Sequence, residues 1–158
     1  DILEDYGQKP LVDEVEGTFS VLYEVDGLSL RIPYALVSDT IRRYIFFLAA
    51  VKSNQGAVVV LEEPEAHAFP PYVKHLAECI GLDRRNQYFI STHNPYLLLS
   101  LIEKTPVREL AVYVTYLRGH ETCAKLLVEE EISELLDLTA SAFFNLDRFI
   151  EELPEAPD

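Results

Sequence analysis

The sequence predicts an α/β fold in which a parallel βαβ core is flanked by antiparallel hairpins and followed by C-terminal helices. The apolar runs Ala57–Leu61 and Gln87–Thr92 are typical of strands buried on both faces of a parallel sheet. The segment between them, Pro70–Gly81, opens with two prolines and closes with a glycine, as a helix does. Alternating apolar residues over 18–33, interrupted by Asp26-Gly27, indicate a β-hairpin. A strand, a helix and a strand within about 35 residues form a βαβ unit, so the two strands should run parallel.

The other elements follow from apolar spacing and from residues that begin or end helices. Ser38 is a candidate N-cap for an amphipathic helix that ends near residues 54–56. A further helix, a second hairpin and one or two final helices are predicted at Pro95–Lys104, at Leu110–Leu117 with Thr122–Val128, and at Ile132–Leu153. We expect one domain, with an acidic leader (residues 1–17), a core lobe (residues 18–128) and an acidic helical tail (residues 129–158).

Composition excludes several classes of protein. The 158 residues carry a formal net charge of −14, so extended binding to phosphate backbones or anionic membranes is disfavoured, and a nucleic-acid partner is not indicated. The longest apolar run, Tyr44–Val51, is far shorter than the roughly 20 residues that span a bilayer. Two isolated cysteines, Cys79 and Cys123, suit neither a zinc site nor a disulfide framework, and they favour the cytoplasm. Because the sequence lacks methionine altogether, we expect Asp1 to be a cut boundary and the chain to be a fragment.

Polar side chains follow both predicted core strands. Glu62 and Glu63 come directly after the first strand, and His93 follows the second. Parallel strands bring their carboxyl ends to one edge of the sheet, which is where ligands bind in open α/β sheets. One carboxylate there can hold Mg²⁺ while its neighbour orients an attacking water, and an imidazole can donate to a phosphate oxygen. The alternative for the two acids is a strand that ends in solvated carboxylates; His93 at the same edge favours a ligand site.

The segment Val58–His67 resembles the Walker B strand of ATP-binding-cassette ATPases. It is most similar to the version with a Glu-Glu-Pro-Glu-x-His motif that occurs in AAA-ATPase-like proteins, which are related by fold to the structural-maintenance-of-chromosomes (SMC) group. The resemblance implies that Glu62 coordinates Mg²⁺ and that Glu63 is the catalytic base. It also implies that Glu65–Phe69 is the D-loop of a dimer interface and that Ser91-Thr92-His93 is the switch whose histidine senses the γ-phosphate.

The resemblance extends over roughly residues 33–104 and includes the signature motif. Leu36–Arg42 is similar to that motif, which implies that Ser38 contacts the γ-phosphate bound to the opposite subunit of a homodimer. A helix N-terminus favours an anion, and Arg42 and Arg43 add positive charge. The usual signature glycines are replaced here by Ser38-Asp39-Thr40.

A phosphate-binding P-loop requires Gly-x-x-x-x-Gly-Lys followed by Ser or Thr, and the sequence has no such motif. In the family this loop lies in an N-terminal lobe, so the chain is expected to be the C-terminal lobe of a P-loop NTPase. The full protein would use ATP and Mg²⁺ with that lobe as its partner, and the isolated lobe would be inactive. The alternative is a non-catalytic dimerisation or partner-docking domain that retains the ATPase fold.

The remaining histidines carry no functional prediction. His75 is expected on an exposed face of the helix after Pro71, and His120 is expected in a hairpin turn. Neither has partners at metal-ligand spacing.

Overall fold

The computed structural model describes residues 2–150. Its strands form a three-stranded antiparallel sheet (β1–β3), a two-stranded parallel sheet (β4–β5) and a two-stranded antiparallel sheet (β6–β7). The strands are β1 (Gln8–Asp13), β2 (Thr18–Val25), β3 (Leu28–Pro33), β4 (Val58–Glu62), β5 (Gln87–Ser91), β6 (Tyr113–Arg118) and β7 (Glu121–Leu126). The helices are α1 (Ile2–Asp5), α2 (Asp39–Ser53), α3 (Pro70–Leu82), α4 (Pro95–Lys104) and α5 (Glu129–Asp137).

The predicted βαβ core is confirmed. Strands β4 and β5 pair in parallel from Val58 opposite Gln87 to Glu62 opposite Ser91, and α3 connects them. Apolar side chains of α2, α3 and α4 pack with Leu61 in one buried cluster. The carboxyl ends of the two strands therefore lie side by side at one edge of the sheet.

The prediction that both faces of these strands are buried is wrong. The side chains on one face are largely exposed: Val58 at 62%, Val60 at 73% and Phe89 at 56%. The physical reason is that the helices of the described chain cover the opposite face, where Leu61 is 4% exposed. Apolar β-branched runs indicate a strand that can be buried on both faces, but they do not say which segment covers each face.

The helix that connects the core strands does not end at its glycine. Helix α3 continues through Gly81 to Leu82. A Cβ atom built on Gly81 would lie 2.8 Å from Cβ of Lys104. The glycine therefore permits the close approach of α3 and α4, and it does not serve as the predicted C-cap.

The N-terminal hairpin forms as predicted, and the acidic leader adds structure to it. The turn residues Asp26 and Gly27 have φ values of 52° and 76°, as the primed turns of tight hairpins require. Residues 8–13 of the predicted leader form β1, which pairs antiparallel with β2. Leu3 and Val21 are fully buried in a cluster with Tyr44 of α2, so this sheet is attached to the core lobe.

The C-terminal part contains the predicted second hairpin but less α-helix than expected. Helix α5 ends at Asp137, and residues 139–149 form two 3₁₀ segments. The predicted continuation to Leu153 and the acidic end of the tail lie outside the described residues. Within residues 2–150, no helix is long and apolar enough to cross a membrane.

Candidate functional site

Glu63 and His93 meet where the two parallel strands end. Nε2 of His93 lies 3.4 Å from Oε1 of Glu63. The His93 side chain is 84% exposed and the Glu63 side chain is 48% exposed, and a side-chain contact that is this open to water adds at most about 1 kcal/mol to stability. The pair therefore does little for the fold, while both groups remain open to a ligand.

The backbone at Glu63 is strained. Its φ of 41° lies in the left-handed region, which costs a non-glycine residue on the order of 1–3 kcal/mol. The amide of Glu63 donates to the Ser91 carbonyl at 3.0 Å, and its carbonyl accepts from the Ala66 amide at 3.0 Å. Backbone hydrogen bonds to β5 and within the β4–α3 loop (residues 63–69) thus hold Glu63 in this conformation. Strain of this kind often accompanies a functional constraint.

Glu62 carries a carboxylate at the open edge of the sheet, where it could hold a hard cation. It is exposed and lies opposite Ser91 in the register of the parallel pair, so oxygen atoms of both residues are available on the open face of the sheet. Mg²⁺ prefers oxygen ligands and is commonly held by one or two carboxylates together with substrate phosphates. The described residues contain no ready-made cluster of three or more metal-ligating side chains. A carboxylate and a nearby hydroxyl oxygen are donors of the kind that Mg²⁺ takes together with substrate phosphates.

Glu65 connects the β4–α3 loop to the segment that carries His93. Its Oε1 accepts from Oγ1 of Thr92 at 2.5 Å and from the amide of His93 at 3.1 Å. Oγ1 of Thr92 accepts in turn from the Asn94 amide at 2.9 Å. Residues 92–94 are therefore attached to the loop by a buried carboxylate.

The first turns of α2 contact the same loop from the other side. Oγ1 of Thr40 donates to the His67 carbonyl at 2.7 Å, and a guanidinium nitrogen of Arg43 lies 3.4 Å from the Glu63 carbonyl. Arg42 pairs with Asp39 at 3.2 Å. Ser38 precedes α2 as its N-cap residue, is exposed, and makes no side-chain capping hydrogen bond. Its hydroxyl is therefore not used for capping this helix.

A comparison of two N-caps tests this difference. Oδ1 of Asn94 accepts from the amides of Tyr96 and Leu97 at the start of α4. We expect Asn94→Ala to lower the free energy of unfolding by about 1 kcal/mol, the usual loss for a side-chain cap. Ser38→Ala is the matched control and should change stability by a few tenths of a kcal/mol at most. Urea denaturation measures both variants; an equal loss for the two would contradict the assigned caps.

The prediction for His75 is wrong. The residue is half-buried, and its Nδ1 lies 2.6 Å from the hydroxyl of Tyr44, so it joins α3 to α2. Burial lowers the pKa of His75 and raises the pKa of the neighbouring Cys79 thiol. Tyr44, His75 and Cys79 therefore form a structural cluster between α2 and α3. His120 lies in the exposed turn between β6 and β7, as predicted.

The sequence predicts that Glu62, Glu63 and His93 lie at one edge of the sheet, and the structure places them there. Sequence reasoning missed the contacts of Glu65, Thr40 and Arg43 with this edge, because each joins residues at least 20 positions apart. One signal was present for Glu65. A third acid directly after Pro64, on a loop that leaves a buried strand, needs a partner if it turns inward.

The mixed α/β fold resembles that of an ATPase domain. The chain belongs to the family described as "AAA domain, putative AbiEii toxin, Type IV TA system", whose profile matches residues 3–100. Nine chains of solved structures are similar to it. One, from a study titled "Structural biochemistry of ATP-driven dimerization and DNA stimulated activation of SMC ATPases", has 14% identity and a TM-score of 0.56, over 83% of this chain and 80% of that chain. A search of curated proteins gave no significant match.

Proposed function

We propose that this chain is the C-terminal lobe of an ABC-type ATPase that hydrolyses ATP at two composite sites in a dimer. In each site, Glu62 holds Mg²⁺, Glu63 orients the attacking water as general base, and His93 donates to the γ-phosphate. Ser38 reaches the γ-phosphate from the opposite subunit. The magnesium ion, when bound with ATP, neutralises charge on the phosphate oxygens.

The observation that carries the proposal is the 3.4 Å approach of His93 Nε2 to Glu63 Oε1. Both groups are exposed at the carboxyl edge of a parallel sheet, which is the ligand edge of open α/β folds. The carboxylate can accept a proton from water while the imidazole donates to the group under attack. The strained backbone of Glu63 fits a side chain that is held for a ligand.

The open face of the core sheet favours the proposal of a partner lobe. Val58, Val60 and Phe89 form its apolar part, and Glu62 and Ser91 lie at its carboxyl end. Parallel sheets are almost always covered on both faces. A P-loop lobe that packs on this face would bury the apolar side chains and bring its phosphate-binding loop next to Glu62.

Nucleotide titration tests the division of the site between two lobes. We expect the 158-residue chain alone to show no micromolar affinity for ATP with Mg²⁺, because backbone cradling and the P-loop lysine supply most ground-state phosphate contacts. The same chain joined to its P-loop lobe should bind ATP. Isothermal titration calorimetry measures both, with EDTA as the control for Mg²⁺.

Two outcomes would count against the proposal. A micromolar dissociation constant for the chain alone would place the nucleotide site elsewhere. Failure of the two-lobe protein to bind ATP would favour the alternative function, a non-catalytic domain for dimerisation or partner docking.

A further inference from the structure

Glu65 is an unusual residue for the position it occupies. The residue is 9% exposed, and its Oε2 atom has no hydrogen-bond partner among the described residues. Burying a carboxylate costs several kcal/mol unless its environment compensates. An apolar side chain at this position would avoid that cost, so fold stability alone gives a weak account of Glu65.

The side-chain hydrogen bonds of Glu65 within the described residues go to Thr92 and His93. Oε1 accepts from Oγ1 of Thr92 at 2.5 Å and from the amide of His93 at 3.1 Å. The first bond orients the Thr92 hydroxyl, whose oxygen accepts from the Asn94 amide at 2.9 Å. The second bond fixes the peptide plane that carries the imidazole. One buried oxygen thus sets the path of the backbone immediately after β5.

The same loop carries Glu63, two positions before Glu65. The buried ring of Pro64 separates the two acids, and the amide of Glu63 is bonded to Ser91. Glu65 therefore fixes the position of the His93 backbone relative to the Glu63 backbone. The exposed imidazole of His93 contacts Glu63 at 3.4 Å, and its position depends on how the His93 backbone is held.

We propose that Glu65 is a positioning residue that holds His93 beside Glu63 for ATP hydrolysis. This inference rests on the proposed function. Glu65 acts through the Thr92 hydroxyl and the His93 amide, and not by contact with the reacting atoms. Misplacing a catalytic group by about 1 Å can cost roughly 10²-fold in rate, so loss of this anchor should lower turnover strongly.

Amide hydrogen exchange, measured by NMR on this chain, tests the anchor independently of any activity. Glu65→Ala removes the acceptor and should abolish protection of the His93 amide. Glu65→Gln keeps an acceptor oxygen and should retain that protection. The Glu63 amide, which donates to the Ser91 carbonyl, is the internal reference in both variants. Equal protection of His93 in the alanine variant and the parent would overturn the inference.

Kinetics of the protein that carries its P-loop lobe test the consequence. We expect Glu65→Ala to lower kcat by about 10²-fold with little change in KM for ATP, and Glu65→Gln to restore most of the loss. A general structural defect would instead lower the melting temperature and the active fraction of both variants. An unchanged kcat in Glu65→Ala would overturn the inference.

Thr92 provides a second route if Glu65→Ala fails to fold. Thr92→Val keeps the shape of the side chain and removes the donor, whereas Thr92→Ser keeps the donor. The valine variant should lose turnover and the serine variant should retain it; equal activity of the two would count against the anchor.

Glu63→Gln, assayed in parallel, separates the two proposals. Full turnover in Glu63→Gln would overturn the proposed function and this inference with it. Loss of turnover in Glu63→Gln together with normal turnover in Glu65→Ala would overturn the role of Glu65 alone.

Discussion

Replacing Glu63 by glutamine should reduce ATP turnover by roughly 10²–10⁴-fold in the proposed two-lobe ATPase, the usual contribution of a positioned general base. Glutamine keeps the size and hydrogen-bonding capacity of the side chain and removes the negative charge that, in the proposed mechanism, orients water. The position is half-exposed, so the substitution should leave folding intact. Steady-state hydrolysis and nucleotide affinity are measured together: ATP should remain bound and hold the dimer closed while the chemical step stalls.

Glu62→Gln is the matched control, one position earlier on the chain. It should weaken Mg²⁺-dependent ATP binding, because Glu62 is the proposed metal ligand. The two variants should therefore differ in which measurement changes, affinity for Glu62→Gln and turnover for Glu63→Gln. If Glu63→Gln hydrolyses ATP at the parental rate, Glu63 is a solvated acid at a strand end.

The sequence predicts those features of the fold that short stretches of the chain determine by themselves. The hairpin at Asp26-Gly27 and the parallel pairing of β4 with β5 were both predictable, because a turn signal and a strand–helix–strand order each restrict the chain locally. Coverage of the core sheet was not, because apolar runs do not identify the segment that packs on them. Gly81 is a similar case: its spacing from Pro70 suggested a helix end, but the approach of Lys104 explains the glycine.

The candidate site likewise has features that the sequence predicts and features that it does not. Glu62, Glu63 and His93 were predictable as neighbours because each directly follows a strand, and parallel strands end at one edge. The Glu65–Thr92 hydrogen bond was not, because it depends on how the β4–α3 loop turns inward. Periodicity carries no information about such a contact. The same is true of the left-handed backbone of Glu63, because tertiary hydrogen bonds set that conformation.

Mixing two inactive variants should restore activity if Ser38 acts across the dimer. Glu63→Gln removes the proposed base, and Ser38→Glu places a negative charge where the opposite γ-phosphate would dock. Glutamate is favourable at a helix N-terminus and Ser38 makes no capping bond, so the second variant should fold. In a mixed two-fold dimer, one site then carries both changes and the other carries neither.

The expected turnover of the mixture distinguishes action of Ser38 across the dimer from its action within one subunit. Equal co-expression makes half of the dimers mixed, each with one intact site of two, so turnover should reach about a quarter of the parental value if the sites work independently. If Ser38 serves the site of its own subunit, both sites of every dimer are damaged and the mixture stays inactive. The matched control is the doubly substituted chain co-expressed with the parent. It should give about a quarter of parental turnover for action across the dimer and about half for action within one subunit. An inactive first mixture together with a half-active control would therefore exclude Ser38 from the opposite site.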